Sequence, residues 1–257
     1  MELPQFEKEY RVHVYETGPD GNIHLYSLFN YMQDIASDHA LRLGFGRDDL
    51  MKTNRFWVLS RMYSVIADFP KTGDTIIITT RPCGTDKLFA LRDFDIYYPD
   101  RRHIASASSS WLILDQATRR IQRPDTILTR YNSSLQKGNS SIRNAMKLEP
   151  IIGEVHLSPK FRINSSDLDI NLHTNNVKYL KWVIDTYKLD FIMNHFVSSS
   201  EINYLAESLY NEEIIIRTSA KKENNYVYSH SVIRTSDAKE LCRIKLEWKD
   251  SSVKKVN

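Results

Sequence analysis

The sequence predicts an α+β fold built twice: two tandem units, each a long helix wrapped by an antiparallel sheet. Three observations lead there. An order of strand, helical stretch and several further strands fills the first half and recurs in the second. Apolar residues at Leu25, Leu28, Phe29, Met32, Ile35 and Ala36 keep helical spacing, and so do Val177, Leu180, Ile184, Tyr187 and Phe191. The β-branched run 75–80, with isoleucine at 76–78, is echoed by isoleucine at 214–216.

The elements follow in order. Alternation at 10–15 predicts a strand and Gly18-Pro19-Asp20-Gly21 a turn. A helix is expected over 25–43, stopped by Gly44-Phe45-Gly46. Strands are expected over 55–68, 75–80, 88–98 and 102–115, with turn-like segments at 70–74 and around Cys83. Residues 124–150 are rich in Ser, Asn, Lys and Arg and lack periodicity. The expected units are therefore 1–130 and 153–257, joined by a linker at 131–152. In the second unit a short strand at 160–163 precedes one long helix through Phe191. Strands at 201–208, 214–218, 226–235 and 240–248 follow, and the polar tail from 249 is expected to fray.

Composition narrows the function. The chain has 257 residues, 41% hydrophobic and 26% charged, with a net charge of +3. That balance fits a soluble globular protein and gives no general pull toward nucleic acid. Two cysteines, Cys83 and Cys242, form no CxxC pair or Cys/His cluster, so neither a metal site nor a disulfide framework is indicated. The start of the chain lacks a signal-peptide apolar core, and no apolar run is long enough to span a bilayer. These features predict a cytoplasmic protein without cofactor, membrane contact or nucleic-acid partner, either monomeric or homodimeric.

The chemistry concentrates at Asp169-x-Asn171-x-His173, directly before a helix. In an extended run alternate side chains share a face, so carboxylate, amide and imidazole converge on one pocket. Thr174 or Asn175 caps the helix, whose first amides carry partial positive charge suited to an oxyanion. The competing reading is structural: Asp and Asn before a helix often serve only as turn and cap. A calcium loop is rejected, because Leu172 and Lys178 stand where it needs Gly and Glu. The first half carries its own Asp20-x-Asn22-x-His24 before its helix, expected to be a decayed or structural copy. Asp68 aligns with Glu207 in that comparison only through a one-residue gap.

Several blocks resemble the acyl-acyl carrier protein (ACP) thioesterases of plants and bacteria, a double hotdog family. They are FWVLSRM at 56–62, PKTGDTIIITTRP at 70–82, ASSSWLILDQATRRIQRP at 107–124 and SDLDINLHTNNVKYLKW at 166–182. The resemblance covers nearly the whole chain outside the linker and tail. It implies a catalytic set in the second unit: Asp169, Asn171, His173 and, on the following strand, Glu207. It implies an acyl-chain pocket in the first unit, where Leu28, Phe29 and Met32 would touch the chain if they are not simply core. Beside Glu207, where plant members carry a cysteine, this chain has Ser208, which counts against a covalent thiol mechanism. The expected reaction is hydrolysis of fatty acyl-ACP by an activated water, ending chain elongation and releasing the fatty acid. Glu207 or His173 would be the base, and backbone amides at the helix start around Val177 would hold the oxyanion. Arg119, Arg120, Arg123 and the basic residues of the linker would meet an acidic carrier protein if they are not simply solvated surface. The alternatives are an acyl-CoA thioesterase, a hydratase of the same fold, or a non-catalytic acyl-thioester-binding protein.

Overall fold

The computed structural model describes residues 5–124, 142–220 and 226–251. The chain forms two compact units, Met1–Ala145 and Met146–Asn257.

In the first unit the sheet runs β1 (Phe6–Arg11), β3 (Thr75–Asp86), β4 (Phe89–Tyr97), β5 (His103–Asp115), β2 (Arg55–Ile66), with β6 (Ile121–Gln122) paired to β5. Every neighbouring pair is antiparallel. Helix α1 (Leu25–Arg42) buries Leu25, Leu28, Phe29, Met32, Ile35 and Ala36, the stripe its spacing predicts. The strands answer with buried Ile76, Ile78, Phe94, Ile96, Ala105 and Ala107. Each large apolar side chain so placed contributes about 1.5–3 kcal/mol relative to exposure. The helix ends in a Schellman motif: Gly44 takes φ +76° while Phe45 N donates to Ala40 O and Gly44 N to Leu41 O. Gly46 then caps a short helix, α2 (Arg47–Met51).

Two expectations fail here. The alternation at 10–15 is not a strand: β1 lies earlier, and Val14–Glu16 forms a 3₁₀ turn closed by the Glu16 carboxylate on the His13 amide at 2.8 Å. Nor does Pro82-Cys83 end β3, which continues to Asp86 through a bulge that absorbs the missing proline donor.

The second unit's sheet runs β9 (His195–Tyr204), β12 (Glu240–Asp250), β11 (Val227–Arg234), β10 (Glu213–Ala220), β7 (His156–Leu157), with β8 (Phe161–Arg162) also on β10. Its helical stretch is not one helix. Helix α3 (Asn176–Ile184) stops where Asp185 and Thr186 turn the chain, with Thr186 Oγ1 donating to Val183 O at 2.7 Å. Helix α4 (Leu189–Asn194) then leads into β9. The break turns Tyr187 into a half-buried aromatic group with Phe191, Tyr228, Trp248 and His230. Val177, Leu180 and Val183 pack inward from α3, and Ile214, Ile216, Val232, Ile244 and Leu246 are buried on the strands.

Much of the expected linker, 125–141, lies outside the described residues, as do 252–257 of the tail. Where it becomes describable, the linker is pinned rather than loose. Met146 N donates to Glu201 Oε1 at 2.6 Å, Leu148 N to Asn203 Oδ1 at 2.7 Å, and Arg243 to Leu148 O at 2.7 Å. These bonds give the buried Glu201 and Asn203 side chains their partners.

Candidate active site

Asp169 to His173 is a tight hairpin, not the extended run its alternation suggests. Asp169 N donates to His173 O at 2.7 Å and Leu172 N to Asp169 O at 3.0 Å. Ile170, Asn171 and Leu172 form the three-residue tip, with Leu172 at φ +64°. The Asp169 carboxylate organises this tip. Its Oδ1 accepts the Asn171 amide at 2.8 Å and the His173 amide at 3.1 Å, and its Oδ2 faces Asn171 Nδ2 at 3.4 Å. Asp169 therefore orients Asn171 and the hairpin backbone.

Glu207 is not on a strand. β9 ends at Tyr204, and residues 205–208 run on as a connection held by the Leu205 and Ala206 amides on Leu241 O. Thr174 N donates to Ser208 O at 3.0 Å, and His173 bridges Leu209. That crossing brings Glu207 Oε1 to 3.7 Å from His173 Nδ1, with both side chains partly open to solvent. Four residues from two distant segments are thus joined by three pairings: Asp169 with Asn171, Asp169 with His173, and His173 with Glu207.

Ser208 points the other way. It is fully buried, its Oγ 2.8 Å from Thr174 Oγ1 and 2.7 Å from Tyr179 OH, while Thr174 Oγ1 donates to Ser208 O at 3.1 Å. This hydroxyl ladder fixes the residues that directly follow His173 and Glu207. Burial also pushes the Tyr179 phenol above its ordinary pKa, so it stays a neutral donor. Sequence reasoning named Ser208 but not its ladder; Thr174 and Tyr179 carry no local signal of it.

At the start of α3, where an oxyanion site is expected, two of the backbone amides are already engaged. Asn175 is the cap: its Oδ1 takes the Val177 amide at 3.1 Å and its carbonyl takes the Lys178 amide at 2.9 Å. Neither amide is left for a ligand.

The first unit builds the same hairpin, but out of register with the motif. Gly18 N donates to Asn22 O and Gly21 N to Gly18 O, both at 2.9 Å, with Gly21 at φ +76°. His24 caps α1 and its amide donates to Glu16 O, as Asn175 caps α3 and its amide donates to Asp167 O. Gly18, Asp20, Asn22 and His24 therefore stand where Asp169, Asn171, His173 and Asn175 stand. Ile23 N donates to Pro70 O as Thr174 N does to Ser208 O, which puts Phe69, not Asp68, at the Glu207 position. The apparent copy is two residues displaced and rebuilds none of the four groups.

Among the described residues no His, Cys, Asp and Glu cluster is arranged to hold a metal ion, and no helix is long and apolar enough to cross a membrane.

A helical stretch with an antiparallel sheet, continuous in the first unit and broken in the second, is the double hotdog architecture, the scaffold of a class of thioesterases. Within it, the chain belongs to the acyl-ACP thioesterase family, whose members are thioester hydrolases: residues 4–131 match the family's N-terminal domain and 153–250 its C-terminal domain. It is similar to the chloroplastic palmitoyl-acyl carrier protein thioesterase of Gossypium hirsutum, 24% identical over 97% of this chain and 65% of the relative. It is also similar to oleoyl-acyl carrier protein thioesterase 2 of Arabidopsis thaliana, 25% identical over 96% of this chain and 77% of the relative. This chain thus spans about two thirds to three quarters of those two proteins. Among solved structures, an acyl-ACP thioesterase of Bacteroides thetaiotaomicron superposes with a TM-score of 0.84 at 20% identity, covering 95% of this chain and 98% of that one. The 12:0-ACP thioesterase of Umbellularia californica gives 0.82 at 22% identity, covering 98% and 99%. Both support the fold.

Proposed function

We propose that this protein hydrolyses the thioester of fatty acyl-ACP, releasing the fatty acid and the carrier's free thiol. The observation that carries the reading is the approach of Glu207 to His173 at 3.7 Å beside the Asp169-ordered hairpin. Glu207 holds the imidazole by Nδ1, which leaves Nε2 to take a proton from water. The water oxygen bonds to the thioester carbon. Asn171 Nδ2 donates to the carbonyl oxygen as it becomes an oxyanion. The C–S bond then breaks, and the proton passes from His173 to the departing sulfur. Asp169 keeps Asn171 aimed. Ser208 takes no part as nucleophile, because its hydroxyl is buried and engaged by Thr174 and Tyr179.

The acyl chain is assigned to the first unit. Its interior holds a small void among Met32, Gln33, Leu59, Met62, Phe94, Ser109 and Trp111, mostly apolar walls that would have to open to admit an alkyl tail. Leu28, Phe29 and Met32 are all fully buried, and of the three Met32 lines that void. Catalysis is assigned to 153–257. The two unpaired cysteines accord with a reducing compartment, the cytoplasm.

The test is thioester hydrolysis with acyl-ACP and acyl-CoA panels. His173→Ala and Glu207→Ala are expected to lose roughly a hundredfold or more in kcat. His24→Gln is expected to retain activity. Equal turnover by His173→Ala and the wild type would sink the mechanism; a clear preference for CoA thioesters would reassign the carrier.

A further inference from the structure

The tip of the reactive hairpin carries a feature that its own fold does not need. The turn built at 18–22 and at 169–173 has one residue in the left-handed region. In the first unit that residue is Gly21 at φ +76°, the residue type that region favours. In the second it is Leu172 at φ +64°. A leucine there strains the backbone, since its Cβ crowds the following carbonyl. Burial does not offset the strain: the Leu172 side chain is 71% exposed, and its tip neighbour Ile170 is 78% exposed. Leu209, bridged to His173, is also exposed. Three aliphatic side chains therefore face solvent around Asn171 and His173, and one of them is held there against its backbone preference. Strain of this kind persists where something outside the local fold uses the residue.

We propose that Leu172, with Ile170 and Leu209, is a contact for the thiol-side arm of the substrate, the pantetheine chain that links the acyl thioester to its carrier. The inference rests on the hydrolase reading above. The arm is chosen by continuity with the reacting centre. The carbonyl must sit within reach of Asn171 and His173, so the atoms a few bonds beyond the sulfur must pass over the residues beside that pair. The arm's methylene segments and its gem-dimethyl group offer apolar surface that matches branched aliphatic side chains. Its amides do not require partners there, because they remain open to water at an exposed rim.

The experiment compares wild type, Leu172→Gly and Ile170→Ser/Leu172→Gly with three thioesters of one fatty acid, on ACP, on CoA and on N-acetylcysteamine, which lacks most of the arm. Val14→Ser, an equally exposed aliphatic at 72% in the first unit, is the control. The expected result is a KM increase of about tenfold for both ACP and CoA thioesters. The preference for full-arm substrates over N-acetylcysteamine should fall by a similar factor, and Val14→Ser should leave it unchanged. Thermal denaturation should show a Tm for Leu172→Gly equal to or above wild type, because the strain is relieved. That opposition separates a substrate contact from a structural residue, whose loss lowers both. Unchanged KM values overturn the proposal. An increase confined to ACP overturns the arm in favour of the carrier's protein surface. An equal loss with N-acetylcysteamine shows distorted catalytic geometry and also overturns it. Those outcomes leave hydrolysis by the wild type standing. A wild type that cleaves none of the three removes the hydrolase reading, and this one with it.

Discussion

Ser208 shows how much one residue's meaning depends on where its side chain turns. Its hydroxyl sits in a ladder with Thr174 and Tyr179 behind the reactive face. Ser208→Ala should therefore cost about 1–3 kcal/mol of stability, since two buried hydroxyls lose a partner. Turnover should survive within about tenfold. Denaturant melts and steady-state kinetics on the same preparation check both; complete loss of turnover in a folded variant would restore a nucleophilic serine. Cys83 offers a second residue-scale test. Burial, reinforced by the Asp93 carboxylate, pushes its thiol up to about 12, so little thiolate forms at pH 8. Its alkylation in the folded protein should be at least tenfold slower than in denaturant. Equal rates would mean that the thiol is not shielded as the structure shows.

At the scale of elements, the start of α3 is the joint that holds the site together. Asn175 caps the helix with its side chain, and its backbone amide ties the cap to Asp167 O. Removing the side chain in Asn175→Ala should cost about 1 kcal/mol and lower Tm by roughly 3 °C. A calorimetric scan decides this, and an unchanged Tm would show that the cap is dispensable. His24 occupies the same position on α1 without a side-chain cap bond, its ring stacked on Tyr26. Hydrophobic periodicity gave α1 almost to the residue. It overextended the second helix because Tyr187 and Phe191 keep helical spacing while belonging to an aromatic group. The strand pattern at 10–15 failed for a similar reason: Val14 and Tyr15 alternate as in a strand but lie exposed on a carboxylate-closed turn.

At the scale of the whole molecule, the acid response of stability has an identifiable source in the second unit. His230 is buried between Tyr187 OH at 2.8 Å and Thr218 Oγ1 at 3.0 Å, and burial depresses its pKa from 6.5 to about 3. The unfolded chain takes up this proton near pH 6.5, whereas the folded chain resists it until about 3. Between those values the unfolded state binds more protons, so stability present above 6.5 is lost as pH falls. The slope approaches about 1.4 kcal/mol per pH unit. Asp237, held at about 2 by Arg234, acts only at lower pH. Urea melts between pH 4.5 and 7 should show the loss in wild type and a flatter profile in His230→Gln. Parallel profiles would place the acid sensitivity elsewhere.

The sequence by itself determined the duplicated α+β plan, the stripe of α1, most of the strands and the Asp169, Asn171 and His173 groups of the candidate site, while Glu207 was named only through the family resemblance. Each of those rests on local information: periodicity, β-branched runs, turn residues and a compact motif. Tertiary structure decided the rest. It turned the Asp-x-Asn-x-His motif into a hairpin capped by Asp169, carried Glu207 past the end of β9 to His173, and buried Ser208 between Thr174 and Tyr179. It also showed that Asp20, Asn22 and His24 stand two positions away from the arrangement they resemble. Those outcomes depend on hydrogen bonds between segments far apart in the chain, such as Thr174 to Ser208 and Ile23 to Pro70. A local pattern carries no register for such pairings, because register is fixed only when the folded backbone brings the two segments side by side.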